Sequence, residues 1–457
     1  MGFKSLARRG GNSRLTSWLL VSFLLVLWVA GGASRPDVLG QAISQSFAWL
    51  CIIVFVIRSH RTDFRTVLPI VLILGLSIVL PVLQLIPMPP FVWTNLPGRG
   101  LFVHAAEVVD RAQPWRPISV SPSATMNALG SLVVPTAVLL LVSDLRRKKD
   151  MMILSSLLAL VLFGCFLALL QFSGAAYVNP FINYDTGVVA GNFANRNHFA
   201  LFVAIGCLLT PVWGYHTKVV GGIRGLVPLA ITPVLLMVIL ATGSRAGFAL
   251  GLFGALTGFF IVRRKVRAAL RDLPRSFSIA LVAGFSVLLI ASVVLSVMYG
   301  RAYSLDRISD MEGAFGFRFQ ALPYVLEAIR LYWPVGAGFG TFDPVYRVIE
   351  PDRLLEARYL NHAHNDVLEI LLDGGVFAAA IFIGALIWWL RASVRVWRAR
   401  DGDATMAQVG SLVIFMVLLA SLVDYPARTP IVMAILTLAA VWLSRGVQFP
   451  RKNREHR

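Results

Sequence analysis

Residues 145–174 read LRRKKDMMILSSLLALVLFGCFLALLQFSG. Four consecutive positive charges, Arg146 to Lys149, and the single acid Asp150 are followed by an uncharged, mostly apolar run from Met151 to Gly174. As a helix rising about 1.5 Å per residue, that run is long enough to cross the ~30 Å hydrocarbon core of a bilayer. The basic block before it has the form of a loop held on the side of the membrane that retains positive charge.

The same alternation runs along the whole chain. Twelve apolar stretches of about 14 to 24 residues are expected as spans. They run roughly Leu15 to Ala30, Val38 to Ile57, Val67 to Ile86, Met126 to Ser143, Met151 to Gly174 and Asn197 to Tyr215. The remaining six run Leu226 to Thr242, Ala246 to Val262, Phe277 to Tyr299, Gly374 to Leu390, Ala404 to Leu422 and Ile431 to Ser444. Composition agrees, with 57% hydrophobic residues, 14% charged residues and a mean hydropathy of +0.74. The expected fold class is an all-α polytopic membrane protein of about 12 transmembrane helices. Its largest outer loop falls between spans 9 and 10.

Charge orients the spans. All six lysines fall in alternate gaps, on the side that also holds the N-terminus. That side carries 28 of the 42 basic residues and 7 of the 23 acidic ones, so the net charge of +19 is concentrated there. Short loops with such a bias are cytoplasmic. The same clustering between spans answers the nucleic-acid reading that a strongly basic chain invites, because topology and anionic lipid account for it. The expected layout is a cytoplasmic arm over 1–14, spans 1–9 over 15–299 with an outer loop at 87–125, a large outer loop at 300–375, spans 10–12 over 376–444, and a cytoplasmic tail over 445–457. An alternative for the first span is a secretory signal ending at Ala30-Gly31-Gly32-Ala33. Cys51, Cys165 and Cys207 all fall in apolar runs and are read as packed residues.

This layout removes several function classes. The cytoplasmic gaps are too short for a nucleotide-binding domain, and no phosphate-loop pattern is present. No Asp, Glu, Lys or Arg falls inside the spans as drawn, which counts against an ion-coupled carrier. The polar mass is in the outer segments, and loops this long inside a bundle are usually functional.

Four patterns there carry candidate chemistry. The first is Gly191-Asn192-Phe193-Ala194-Asn195-Arg196-Asn197-His198, and the second the short turn Thr242-Gly243-Ser244-Arg245-Ala246-Gly247. The third is Phe317-Arg318-Phe319 with the downstream Trp333-Pro334-Val335-Gly336-Ala337-Gly338-Phe339-Gly340-Thr341-Phe342. The fourth is Asn361-His362-Ala363-His364-Asn365-Asp366, leading to Glu369 and Gly374-Gly375. A guanidinium at the membrane mouth, as at Arg245, suits a lipid-borne phosphate; snorkelling to a headgroup is the plain alternative. Arg318 allows phosphate binding or packing between its phenylalanines. His364 is the base candidate, just ahead of a helix that Asp366 is expected to cap with Glu369 completing a capping box. A metal set of His362, His364 and Asp366 is a weak alternative, and Gly336 to Gly340 is either a phosphate nest or a set of turns.

In this order and spacing the four patterns resemble the O-antigen ligase and polymerase superfamily of bacterial envelope proteins. Asn197 with its neighbours and Pro117-Ile118-Ser119-Val120-Ser121-Pro122 look like further landmarks of that family. The resemblance implies a metal-independent, inverting glycosyltransferase of the bacterial inner membrane, active at the periplasmic face without a cofactor. Its donor would be a glycan on undecaprenyl diphosphate, and its acceptor lipid A-core or another saccharide, with membrane lipids as surroundings and no nucleic acid. Arg245 and Arg318 match the family's diphosphate-holding arginines and His364 its essential histidine. Arg196, Asn197, Asn365, Asp366 and Tyr346 are expected at the substrate. Ligation to lipid A-core is put first, with polymerisation of lipid-linked repeats as the alternative. A lipid-linked saccharide transporter, which would place its functional residues in the spans, comes behind both.

Overall fold

The structure, a computed structural model, describes residues 2–58, 62–175, 177–182, 188–216, 227–271, 314–355, 360–399 and 404–447, with isolated positions between 276 and 294. Among the described residues the chain is helical, and the pairing of Met88 with Arg116 is an isolated β-bridge. The helices are α1 (Gly2–Ala30), α2 (Leu39–Arg58), α3 (Leu68–Gln84), α4 (Pro90–Trp93), α5 (Gly100–Val108), α6 (Pro122–Ser131), α7 (Val133–Asp144) and α8 (Asp150–Phe172). After them come α9 (Arg196–His216), α10 (Val227–Ala241), α11 (Arg245–Arg271), α12 (Ala314–Tyr332), α13 (Phe342–Ile349), α14 (Asp366–Arg398), α15 (Thr405–Ser421) and α16 (Pro430–Val447).

Eight of the described helical stretches are long and apolar enough to cross a membrane. Three more, Arg14–Ala30, Val227–Ala241 and Thr405–Ser421, are apolar but shorter. Each of the eleven coincides with an expected span, and the molecule is a multi-pass membrane protein. The expected span at Phe277 to Tyr299 lies almost entirely outside the described residues.

α9 is the axis of the bundle. Nearly all of its residues are enclosed by α8, α10, α11 and α15. α11 lies against it through a row of glycines, Gly247, Gly251, Gly254 and Gly258, spaced to fall on one helix face. A Cβ at Gly254 would stand 2.7 Å from the carbonyl oxygen of Ala204, and one at Gly258 2.7 Å from that of Leu208. The two backbones therefore pack at a distance that only small residues allow, as membrane helices do where lipid gives no hydrophobic drive. α3 behaves oppositely: Leu68, Leu72, Leu76, Val79 and Leu83 are exposed at helical spacing, an apolar stripe turned away from the protein.

Two details bear on the sequence expectations. Ala30 and Ala33 are buried, and the carbonyls of Gly31 and Gly32 accept the N–H groups of Ile431 and Ala194, so the proposed signal boundary is packed into the fold. At the end of the bundle remote from α9's first residue, buried Arg445 donates to the carbonyls of Val142 and Leu145 at 2.5 and 2.9 Å and lies 3.6 Å from Asp150. It satisfies carbonyls left open at the end of α7, a need of every helix terminus.

The segment expected as one large loop contains α12, α13 and the head of α14. Ala321, Val325, Ala328, Phe342, Val345, Tyr346, Leu360 and Leu372 form its own hydrophobic cluster. α14 begins earlier than the expected span and bends at Gly375, whose φ of 54° and ψ of −140° are open to glycine. The bend divides a polar head, Asp366 to Gly374, from an apolar limb. The short polar helix expected after Asp366 and the span expected from Gly374 are thus one bent helix, and Asp366, Glu369 and Asp373 lie in its head.

Replacing Gly254 by Val should push α11 off α9, an overpacking cost of about 1–3 kcal/mol. Thermal unfolding in detergent should show a melting temperature lower by a few degrees. Gly75→Val on α3, where a Cβ meets nothing within 4 Å, should leave it unchanged.

Candidate functional site

The site is assembled at the end of the bundle where α9, α11 and α14 begin and where α15 turns into α16. That turn, Leu422 to Pro430, holds Asp424 and Arg428 on either side of Pro426, which opens a single 3₁₀ turn. Asp424 is 3% exposed and stands at the centre of the site. Its Oδ1 lies 3.2 Å from His364 Nδ1 and 3.5 Å from His198 Nε2, and accepts the Tyr425 N–H at 3.0 Å. Its Oδ2 accepts from Asn197 Nδ2 at 2.8 Å and Asn195 Nδ2 at 3.2 Å. A carboxylate removed from water needs such a shell of donors. Burial works to raise its pKa, but the charges and hydrogen bonds of His198 and His364 prevail and hold the carboxyl well below its ordinary range.

His364 is held by strain as well as by bonding. Its φ of +50° is in the left-handed region, which costs a non-glycine residue roughly 1–2 kcal/mol. Asn365 follows as the N-cap of α14, its Oδ1 accepting from Val367 N at 3.0 Å and Leu368 N at 3.2 Å. With Nδ1–H donated to Asp424, the lone pair of Nε2 is free to take a proton. Burial lowers the imidazole pKa, Asp424 raises it, and the charges of Arg318 and His362 lower it again; the net shift is downward. The ring is therefore a neutral base at neutral pH. Tyr425 fixes the surroundings, with the rings of His198, His362 and His364 at 5.0, 4.2 and 4.9 Å from its own.

A second cluster lies beneath. Glu369, fully buried, accepts from His362 Nδ1 at 2.8 Å and Ala363 N at 3.1 Å, and pairs with Arg428 Nη1 at 3.1 Å. The same guanidinium reaches Asp366 at 3.2 Å and Asp373 at 3.5 Å. Burial opposes its charge, but Glu369, Asp373 and Asp366 outweigh that and raise its pKa. Asp373 ties in the glycine-rich run by accepting from Gly340 N at 3.2 Å, while its carbonyl accepts from Gly338 N and from Gln84 Nε2. Ala337 N donates to Leu372, Phe339 N to Gln84 Oε1 and Thr341 N to Gly338. These N–H groups are spent inside the protein, so Gly336 to Gly340 is a packing joint and not a phosphate nest.

The sequence-derived candidates divide accordingly. The charge of Arg318 is felt at both His364 and Tyr425. Arg245 is exposed as the first residue of α11; Ser244 Oγ caps that helix through Gly247 N at 3.1 Å. Ser244 and Ala246 line one small cavity with Asn197, His198, Asp424 and Pro426. Arg196 reaches the same turn, its Nη1 3.5 Å from where a Gly243 side chain would start. Asn197 orients Asp424. Asp366 does not cap α14, as expected, but is its first residue, paired with Arg428 and with Ser421 Oγ at 2.7 Å. The cap is Asn365, and Glu369 points to His362 and not to a capping box. Tyr346 is 1% exposed and stacked on Phe342 at 5.4 Å, inside the hydrophobic cluster. His362, His364 and Asp366 turn to three different partners, and among the described residues no three His, Cys, Asp or Glu converge on a metal position.

Asp424, Arg428 and the Asp424 contact of His198 were missed in the sequence. The available signal was an acid and an arginine in a short proline-bounded turn between two apolar runs, akin to the short outer turn that singled out Arg245.

No curated protein matches the chain. The family model described as O-antigen ligase matches residues 230–383, which include Arg245, Arg318, His364 and the head of α14, and exclude Arg196 and the 422–430 turn. Over that stretch, about a third of the chain, the protein is similar to O-antigen ligases.

Proposed function

We propose that this protein moves a glycan from undecaprenyl diphosphate to a sugar hydroxyl of lipid A-core at the periplasmic face of the bacterial inner membrane. The reading rests on one observation above others: His364, oriented by Asp424 at 3.2 Å and kept neutral chiefly by burial, within the field of Arg318. The site also fits the charge layout, which puts the N-terminal arm, the tail and the basic loops on the opposite, cytoplasmic side.

In the proposed reaction His364 Nε2 takes the proton of the acceptor hydroxyl as its oxygen attacks the anomeric carbon. The bond from that carbon to the diphosphate oxygen breaks, and the electron pair leaves with the diphosphate. Arg245 and Arg318 stabilise the charge that grows there, in surroundings where such stabilisation is strong. Attack opposite the leaving group inverts the anomeric centre. Asp424 keeps His364 in the productive tautomer and balances the imidazolium that forms. Arg196 is assigned to the diphosphate beside Arg245. Neither a metal nor a cofactor is assigned a step.

Four outcomes are expected. A deletion strain should accumulate long glycan on undecaprenyl diphosphate beside bare lipid A-core on a gel; single repeat units would mean polymerisation instead, and unchanged envelope glycans would refute both. His364→Ala and Arg318→Ala, inserted in the membrane at normal levels, should lose about 10²–10⁴-fold in transfer, the usual worth of a general base for the former. Near-normal transfer by either would overturn the assignment.

The third outcome is a pH dependence. The base works unprotonated, so the rate falls as pH drops through the His364 pKa, which is lowered from 6.5. The acid limb of the pH–rate profile should therefore lie below pH 6.5. Asp424 raises that pKa, so Asp424→Asn should move the limb lower still while reducing the plateau by at least about tenfold. Finally, chelators should leave transfer intact; inhibition reversed by a divalent metal would reinstate a metal site at His362, His364 and Asp366.

A further inference from the structure

Residues 87–121, most of the outer loop expected at 87–125, form a compact unit of their own. Met88 and Arg116 pair their backbones in both directions, Trp93 Nε1 donates to Pro114 O at 2.8 Å, and Gln113 Nε2 donates to Val103 O at 2.9 Å. The unit has an inner side. Trp93 and Ala106 are buried, the Arg116 guanidinium lies over the rings of Trp93 and Phe102, and buried Arg99 donates to Pro97 O and Ile118 O and lies over Tyr332.

Its outer side is apolar without a partner. Phe91, Leu101, Val108, Val109 and Trp115 are 58–75% exposed. On α5 the exposure follows helical geometry. Leu101, Ala105 and Val108, at i, i+4 and i+7, form one exposed apolar arc. His104 and Glu107, 3.7 Å apart and both exposed, form a polar arc beside it, and Ala106 faces the protein. Three arcs toward protein, apolar medium and water are what a helix lying in a membrane interface requires.

Continuity selects the occupant. The exposed stripe of α3 runs through Leu76, Val79 and Leu83 to Ile86, and Phe91 follows five residues later at the start of α4. The Met88–Arg116 bridge brings Trp115 alongside the same segment. The lipid-facing surface of a spanning helix thus passes without a polar break into the outer side of the unit, ending in aromatics of the kind that settle at headgroup level. We infer that α5 and its neighbours are an interfacial anchor, seated in the bilayer leaflet at the site end of the molecule with Leu101, Val108 and Trp115 below the headgroups.

The anchor is rigidly joined to the site. Ser119 N donates to Gln84 O, Val120 N to Ala337 O, and Thr125 Oγ1 to Phe339 O, while Gln84 and Gly340 both bond Asp373. A leaflet that holds α5 at a fixed depth therefore holds the site at a fixed height above it, where the diphosphate of a membrane-borne lipid would lie.

The test does not depend on the reaction. The full chain would be placed in nanodiscs of phosphatidylethanolamine and phosphatidylglycerol. Single cysteines carrying a nitroxide would be introduced at Leu101, Ala105, Val108, His104 and Glu107, with Leu76 on α3 as the lipid reference. The native cysteines are all buried. Collision with oxygen, which concentrates in lipid, should exceed collision with a water-soluble nickel chelate several-fold at 101, 105 and 108, approaching the ratio at 76. The ratio should reverse at 104 and 107. Nickel-accessible labels throughout would overturn the anchor in favour of a free surface. Labels at 101, 105 and 108 shielded from both reagents would overturn it in favour of a protein contact, such as a second copy of the chain.

Discussion

Charge taken out of water must be answered where it stands, and the turn between α15 and α16 meets that constraint twice in five residues. Asp424 is answered by two imidazoles and two asparagines, Arg428 by three carboxylates from α14. Breaking a buried pair of this kind leaves an uncompensated charge worth about 3–5 kcal/mol. The arrangement is therefore all or nothing. It fixes the turn, the head of α14 and the first turn of α9 relative to one another, and His364 inherits its position from that lock.

The lock has a mechanical frame. α9 and α11 approach through glycines, so their first residues, Arg196 and Arg245, start from the same small area. α14 would run straight through the site were it not bent at Gly375; the bend lets its head carry Asp366, Glu369 and Asp373 toward Arg428 while its apolar limb continues as a span. The glycine-rich run then closes over Asp373 through Gly338 and Gly340. Apolar packing within the bilayer and polar pairing at its end are thus separate tasks, joined at helix termini.

The resemblance at residues 230–383 covers His364, Arg245 and Arg318, yet Asp424, the carboxylate that holds His364, comes from beyond it. A histidine and the acid that orients it need only meet in space, and here sixty residues of chain separate them.

What the sequence by itself determined was everything that follows from local composition. Apolar length against bilayer thickness marked the eleven apolar helices described, and an arginine in a short turn, an arginine between two phenylalanines and a histidine ahead of a helix start marked Arg245, Arg318 and His364 as candidates. It misread two positions whose role depends on a distant partner, Asp366 as a cap and Glu369 as a capping-box member. Asp424 and Arg428 are one acid and one base among many until α14 and α9 arrive beside them. Only the tertiary structure decided those pairings, because a buried charge is specified by what surrounds it in space, whereas a hydrophobic span is specified by the residues next to it in the chain.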